Sequence, residues 1–144
     1  MPDLDERFSS ALHNASRAWR QALDRRLKYL GLSQASWMTI AVAAKAAAPL
    51  SQSELADRLA VEGATMVSMV DRLVKAGLVN REPSTTDRRV KRIVLTDAGN
   101  SLYGKVRAEA TAFRRELLAN LDSKKLLVAT ELLEGLQGVI DAAP

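Results

Sequence analysis

Apolar residues recur every three or four positions along the first part of the chain, which is the spacing of one face of an α-helix. They are Leu4, Phe8, Leu12, Ala15, Trp19, Leu23, Leu27 and Leu30. Gly31 predicts the end of this helix, because glycine readily adopts the left-handed conformation found just after a helix. Ser33 then predicts the start of a second helix, which continues to about Ala48 and stops before Pro49.

The middle of the chain carries the signals of two shorter helices. Ser51 and Glu54 form an S-x-x-E capping box, which opens a helix to about Ala60. A second helix is predicted from about Gly63 to Ala76. Two helices separated by a few residues are typical of a helix-turn-helix, provided that the second one presents a polar face.

The second of these helices does divide into an apolar and a polar face at 100° per residue. The apolar face contains Met66, Val67, Met69, Val70, Leu73 and Val74. The polar face contains Ala64, Thr65, Ser68, Asp71, Arg72 and Lys75. We therefore expect the first face in the core and the second on the surface.

A hairpin follows the two helices. Short strands are predicted at residues 78–82 and 91–95, and the loop between them contains turn-forming Pro, Ser and Asp. The order of helix, turn, helix and hairpin predicts a winged helix over residues 33–96, with the loop as the tip of the wing.

Two more amphipathic helices complete the chain, the first after Thr96 and the other after Asp122-Ser123. The predicted fold class is therefore mainly α, an α+β winged helix-turn-helix with about six helices and a β-hairpin wing. The first and fifth helices are roughly 35 to 40 Å long, longer than the core of one small domain covers. We therefore predict that residues 1–32 and 97–144 are dimerisation helices, through which two chains form a homodimer.

The surplus positive charge lies in one segment. The chain has 21 Lys and Arg against 17 Asp and Glu, and the segment from Arg72 to Leu95 holds seven basic and two acidic residues. That segment has a net charge of +5, which leaves the rest of the chain at −1. So focused a charge indicates a surface for a polyanion, because phosphate neutralisation and counterion release dominate nucleic-acid affinity. The alternative is a solvated charged face.

Composition argues against catalysis and against the membrane. The chain has no cysteine, and its single histidine, His13, cannot form a metal cluster or, without a G-x-S-x-G motif, a hydrolase triad. No uncharged stretch is long enough to cross a bilayer, and the acidic N-terminus differs from a secretory signal. We expect a cytoplasmic protein that is not an enzyme, with no metal, cofactor or membrane partner.

Several motifs occur together and in order. Three stretches are residues 17–37, residues 50–56 and residues 87–96. The others are Arg72-Leu73, Gly77-Leu78-Val79, the D-x-R of Asp87 and Arg89, and Leu95-Thr96-Asp97-Ala98-Gly99. This ordered set resembles the MarR family of bacterial winged-helix regulators, and more narrowly its SlyA-like branch. The resemblance implies a homodimeric transcription regulator that binds pseudo-palindromic double-stranded DNA and is released by small aromatic carboxylates or phenols.

The resemblance also implies roles for individual residues. Arg89 would enter the minor groove, and Asp87 would hold it through a charge-assisted hydrogen bond. The other DNA-binding candidates lie at a helix start, on the polar helix face and in the wing: Ser51, Gln52, Ser53, Ala64, Thr65, Ser68, Arg72, Arg88 and Lys91. The alternatives are a hairpin ion pair for the wing, solvated positions for the helix, and simple capping for Ser51.

A ligand pocket is implied as well. Arg17, Arg20 and Trp37 match the positions at which the family binds its effectors. A guanidinium suits a carboxylate, and an indole suits an aromatic ring. The alternatives are a core role for Trp37 and a partner-chain contact for Arg17.

Residue 68 favours a second hypothesis about the function of the chain. Ser68 stands where SlyA-like relatives tend to carry an arginine that reaches a base edge. This difference favours an alternative, a low-specificity architectural DNA-binding module or a protein-interaction winged helix.

Overall fold

The computed structural model describes residues 1–144, with six α-helices and one three-stranded antiparallel sheet. The helices are α1 (Leu4–Leu27), α2 (Gln34–Lys45), α3 (Gln52–Leu59), α4 (Gly63–Lys75), α5 (Asp97–Leu118) and α6 (Ser123–Ala142). The strands are β1 (Leu50–Ser51), β2 (Val79–Pro83) and β3 (Lys91–Leu95). The predicted mainly α class, the six helices and the hairpin wing are confirmed.

The chain divides into two compact units. The first, Met1–Thr111, contains α1 to α4, the sheet and most of α5, and the second, Ala112–Pro144, contains the end of α5 and all of α6. No helix combines the length and apolar character that a membrane span needs.

Local signals set most helix boundaries. Gly31 ends the first helical segment with a left-handed φ of 74°, after α1 has tightened into a single 3-10 turn at residues 28–30. Ser33 caps α2 as predicted, but α2 ends at Lys45 rather than near Ala48, because Ala46 is already extended. Alanine favours helix without specifying where a helix ends, so the alanine-rich stretch hid this boundary.

The sheet contains one strand that the sequence analysis missed. β1 is only two residues long and pairs with β3, Leu50 lying opposite Ile93, so the strand order is β1-β3-β2. Two residues show no alternating pattern, and only the partner strand defines them as a strand. In the hairpin, Val79 pairs with Leu95, and β2 begins one residue later than predicted.

The core of the first unit lies between α2, α3, α4 and the sheet. Its most buried side chains include Ile40, Leu55, Met66, Val70, Leu73, Val79 and Ile93. Val67 and Val74 of α4 are exposed, at 41% and 36%, so the expectation that the whole apolar face lies in the core was wrong for these two residues. They lie at the edges of the buried arc, which covers Met66, Met69, Val70 and Leu73.

A polar contact joins α1 to α5 inside the first unit. Arg26 Nε donates to Glu109 Oε2 at 2.8 Å, and the Tyr29 hydroxyl donates to Glu109 Oε1 at 2.8 Å. Both bonds lower the pKa of Glu109, and the bond from Arg26 has the larger effect. The pKa of Tyr29 is raised because its proton is held by the carboxylate.

Candidate nucleic-acid interface and adjoining cavity

Helix α4 presents an unbroken polar face. All six residues predicted for that face are exposed: Ala64, Thr65, Ser68, Asp71, Arg72 and Lys75. The opposite face holds the helix to the core through Met66 and Val70, which are almost completely buried. Helical periodicity therefore places short polar and basic side chains outward along about three turns.

The start of α3 offers less to a ligand than predicted. Ser51 is buried, and its hydroxyl accepts the Glu54 N–H at 3.1 Å, while the Glu54 carboxylate accepts the Ser51 N–H at 3.2 Å. Gln52 is half-buried, and its Oε1 accepts a hydrogen bond from Arg81. Of the three candidates there, only Ser53 is exposed. The capping box, rather than an anion, accounts for the Ser51 hydroxyl.

The wing tip is closed by its own hydrogen bonds. Ser84 donates its N–H to the Val90 carbonyl at 2.8 Å, and its buried hydroxyl accepts the Thr86 N–H at 3.3 Å. Arg88 and Lys91 are both exposed around this turn. The loop therefore has a defined backbone that displays its basic side chains to solvent.

Asp87 and Arg89 form the ion pair that the D-x-R motif predicted. Arg89 Nε lies 3.2 Å and its Nη2 3.4 Å from the two carboxylate oxygens, and the Arg89 backbone N–H also donates to Oδ1 at 3.0 Å. The bonds from Arg89 lower the pKa of Asp87, so this carboxylate stays ionised. The Arg89 side chain is nevertheless 91% exposed. The pair orients a guanidinium while leaving it open to solvent.

Arg81 has an internal role that the sequence analysis missed. Although it belongs to the +5 segment, its Nε donates to Gln52 and its Nη2 donates to both Val67 O and Asp71 Oδ1. One signal could have revealed it. Strand alternation places Arg81 on the same side of β2 as the buried Val79, toward the helices.

A cavity of about 360 Å³ is lined by residues of α1, α2, α3 and α4. Its polar wall is formed by Arg17, Arg20, Gln21, Gln34 and Thr39. The rest of the lining consists of Ala35, Met38, Leu59, Val61, Thr65, Met66 and Met69. A cavity of this size and mixed lining suits a small amphipathic molecule with an anionic or polar end.

Two of the three predicted ligand residues reach this cavity. Arg17 and Arg20 line it, and Arg17 also donates to Asn14 at 3.0 Å. Trp37 does not line it: the indole is 6% exposed, and its N–H donates to Asp24 Oδ1 at 2.9 Å. The sequence pattern could not separate a core tryptophan from a stacking one, because both occur at helical spacing.

The same helix serves both surfaces. Thr65 lines the cavity and also stands on the exposed polar face of α4, and Met66 and Met69 of α4 complete that wall. The polar lining residues Gln21 and Gln34 were missed. The i, i+4 spacing of Gln21 from Arg17 was the available signal, since it places both on one face of α1.

Comparison with known proteins gives consistent matches. A model described as MarR family matches residues 32–91. The transcriptional regulator PA3341 is 36% identical, with a TM-score of 0.87 over 94% of this chain and 99% of PA3341. CouR from Rhodococcus jostii RHA1, solved bound to p-coumaroyl-CoA, is 22% identical, with a TM-score of 0.82 over 100% of this chain and 99% of CouR. Apo MarR from E. coli is 23% identical, with a TM-score of 0.78 over 94% of this chain and 98% of MarR.

These matches differ in what they establish. CouR and MarR are distant in sequence and show a shared fold, whereas PA3341 combines substantial identity with nearly complete coverage of both chains. The family match and PA3341 point to transcriptional regulators rather than enzymes, as the composition predicted. The chain belongs to the MarR family of transcriptional regulators.

Proposed function

We propose that this chain is a homodimeric regulator of the SlyA-like branch that binds pseudo-palindromic double-stranded DNA. The observation that carries the proposal is the exposed Asp87–Arg89 pair at the tip of a basic wing, in the same compact unit as the polar face of α4. The motifs at residues 17–37 and 87–96 support the placement in that branch. Residues 33–96 are the DNA-binding domain in this proposal.

Helix α4 enters the major groove in this proposal. Thr65 and Ser68 offer hydroxyls to base edges or phosphates, Ala64 offers a methyl group to thymine, and Arg72 pairs with guanine or a phosphate. All four side chains are exposed. Ser53, at the start of α3, adds a phosphate contact close to backbone N–H groups.

The wing enters the minor groove. Arg89 reaches the floor of the groove, where a narrow A·T-rich segment has the most negative potential, and Asp87 limits the orientations of its guanidinium. Arg88 and Lys91 contact phosphates on either side. Asp87 carries no DNA contact of its own here, since an ionised carboxylate is repelled by phosphate.

The second copy of the chain covers the exposed apolar residues of the terminal helices. On α1 these are Leu4, Phe8 and Leu12. On α6 they are Leu127, Val128, Leu132, Leu133, Val139 and Ile140, and no residue of α6 is buried. So many exposed apolar side chains on one helix indicate an association surface. Residues 1–32 and 97–144 are thus the dimerisation helices, and two-fold symmetry presents two copies of α4 to successive major grooves.

A small aromatic carboxylate or phenol occupies the cavity. Arg17 and Arg20 pair with its anionic end, while Met38, Met66 and Met69 adapt to its ring. The likeness to CouR, which was solved with p-coumaroyl-CoA, supports an effector that carries a phenol ring. Because α4 forms one wall of the cavity, an occupant that prefers one position of α4 shifts DNA affinity.

The test is DNA binding measured by fluorescence anisotropy near physiological salt. A duplex from upstream of the protein's own gene should bind about three decades more tightly than a scrambled duplex of equal length. Arg89→Ala should weaken binding to every operator variant, whereas Arg7→Ala, which removes one exposed charge from α1, should change it little. If the wild type binds the operator and Arg89→Ala binds it equally well, the assignment of Arg89 to a DNA contact is wrong.

One observation favours the second candidate, a low-specificity architectural or protein-interaction module. Ser68 supplies a short hydroxyl at the centre of α4, and a hydroxyl pairs with several bases. Equal, salt-sensitive binding to operator and scrambled duplexes would support low-specificity DNA binding. Absence of binding to both would support a protein partner.

A further inference from the structure

We propose that Arg81 is a positioning residue that fixes the orientation of α4 for DNA binding. In this proposal Asp71 accepts a hydrogen bond from Arg81 and so helps to position α4, and this effect outweighs its repulsion of DNA phosphates. The inference rests on the proposed DNA-binding function. It gives a role to a basic residue of the +5 segment and to the single acidic residue on the polar face of α4.

Arg81 holds both ends of one helical turn. Its Nη2 donates to the backbone carbonyl of Val67 at 3.3 Å and to Asp71 Oδ1 at 2.6 Å. Val67 and Asp71 are four residues apart, so the two contacts lie one above the other on α4. Because Arg81 is hydrogen-bonded to two positions of one turn, α4 cannot rotate about its axis without breaking at least one of these bonds. Ser68 and Arg72, the next residue after each contact, are the proposed DNA-reading side chains.

The arginine is itself anchored to rigid structure. Its strand residue pairs with Ile93 of β3, which is almost completely buried. Its Nε donates to Gln52 Oε1 at 3.2 Å, at the first residue of α3. One guanidinium therefore joins β2, α3 and α4, which are the base of the wing and both helices of the helix-turn-helix. Loss of this residue would remove the side-chain hydrogen bonds that join the recognition helix to the base of the wing, and would leave only the apolar packing of α4.

Asp71 provides a test in which two explanations predict opposite signs. Its side chain is 59% exposed on the face proposed to meet DNA. If only charge mattered, Asp71→Ala would strengthen binding by removing repulsion from phosphates. If Asp71 positions α4 through Arg81, the same change weakens binding to the operator, by about tenfold for one lost charge-assisted hydrogen bond. Asp57→Ala, which removes an exposed acid from α3, is the matched control and should leave affinity unchanged or slightly higher.

The role of Arg81 is tested first with a substitution that keeps the positive charge. Arg81→Lys should also weaken operator binding, because one ammonium nitrogen cannot reach acceptors on two helices in the geometry of a planar guanidinium. Arg81→Ala, which removes the charge, should weaken binding too, but the dependence of log Kd on log salt should keep its wild-type slope, since no phosphate contact is lost. Arg88→Ala, by contrast, should reduce that slope by about 0.9. A slope reduced by a similar amount in Arg81→Ala would assign Arg81 to the DNA backbone and overturn the proposal.

A measurement without DNA separates this proposal from the proposed function. Amide hydrogen exchange across α4 should be faster in Asp71→Ala and Arg81→Lys than in the wild type and Asp57→Ala. If the wild type binds no duplex, the proposed function fails, while the exchange experiment still decides whether the contact orders α4. Tighter DNA binding by Asp71→Ala, or unchanged exchange in both variants, overturns the positioning role.

Discussion

At the scale of single residues, the basic side chains of residues 72–95 are alike in sequence and different in structure. Arg81 is used inside the fold, whereas Arg89 is paired with Asp87 and still almost fully exposed. Arg88 and Lys91 are exposed on the wing. The net charge of +5 therefore overstates the charge that faces a polyanion, because a guanidinium satisfied by protein acceptors has fewer donors left for phosphate.

The cavity gives a prediction at the same scale. A salicylate-like aromatic carboxylate at millimolar concentration should raise Tm, because a ligand that binds only the folded state stabilises it. Arg17→Ala and Arg20→Ala should each reduce this rise, since both guanidinium groups line the cavity. Arg25→Ala, which removes an exposed charge of α1 outside the lining, should leave the rise intact. Differential scanning fluorimetry provides the measurement, and the absence of any rise in the wild type would count against an aromatic acid in this cavity.

At the scale of elements, the L-T-x-x-G motif is a junction between the end of α4 and the start of α5. The Thr96 hydroxyl donates to the Gly77 carbonyl at 2.6 Å and accepts the Gly99 N–H at 3.0 Å. Gly99 is buried, and a Cβ there would overlap the carbonyl oxygen of Leu78. The motif thus combines a helix cap with a close approach of two backbones.

Two glycines of α5 allow a matched prediction. Gly99→Ala should lower the free energy of unfolding by about 2 kcal/mol or more, because the clash is with backbone that cannot move cheaply. Gly104→Ala, the same change one turn and a half later in an unobstructed position, should raise it by up to about 1 kcal/mol through helix propensity. Urea unfolding at one protein concentration measures both. Equal effects of the two substitutions on the free energy of unfolding would show that the close approach of Leu78 to Gly99 does not destabilise Gly99→Ala.

At the scale of the whole molecule, both compact units leave apolar helix surface uncovered. In the first unit it lies on α1, where Leu4 is 73% exposed, and in the second it lies on α6, where Val139 is 70% exposed. Burying apolar surface contributes roughly 25 cal/mol per Å², so a single chain forgoes substantial stabilisation. A second copy supplies the missing partner surface in our proposal.

Dimerisation is tested on α6. Leu133→Glu should shift the protein toward monomer in sedimentation equilibrium and abolish operator binding, because a carboxylate would be buried in an apolar interface. Lys124→Glu also adds a carboxylate to this helix, but nine residues before Leu133 and therefore about 180° around the helix axis from it, and should preserve the dimer. Wild-type Tm should rise with protein concentration, as mass action requires. A wild-type monomer at micromolar concentration would contradict the dimer.

The sequence by itself determined the features that depend on neighbouring residues. Ser33 and Ser51 cap the helices that they were predicted to cap, and Gly31 has the positive φ expected after a helix. The Asp87 contact to Arg89, which the family resemblance implied, is local as well, because the two residues are only two positions apart. Each of these follows from local geometry, which a short stretch of sequence encodes.

Tertiary structure alone decided the features that depend on distant residues. The β1 strand exists because β3 pairs with it, the contacts of Arg81 join positions 10 to 29 residues apart, and Trp37 is held in the core by Asp24. Periodicity shows which face of a helix is apolar, but it does not show which partner covers that face. The cavity wall and the orientation of α4 therefore emerged only when the elements were packed together.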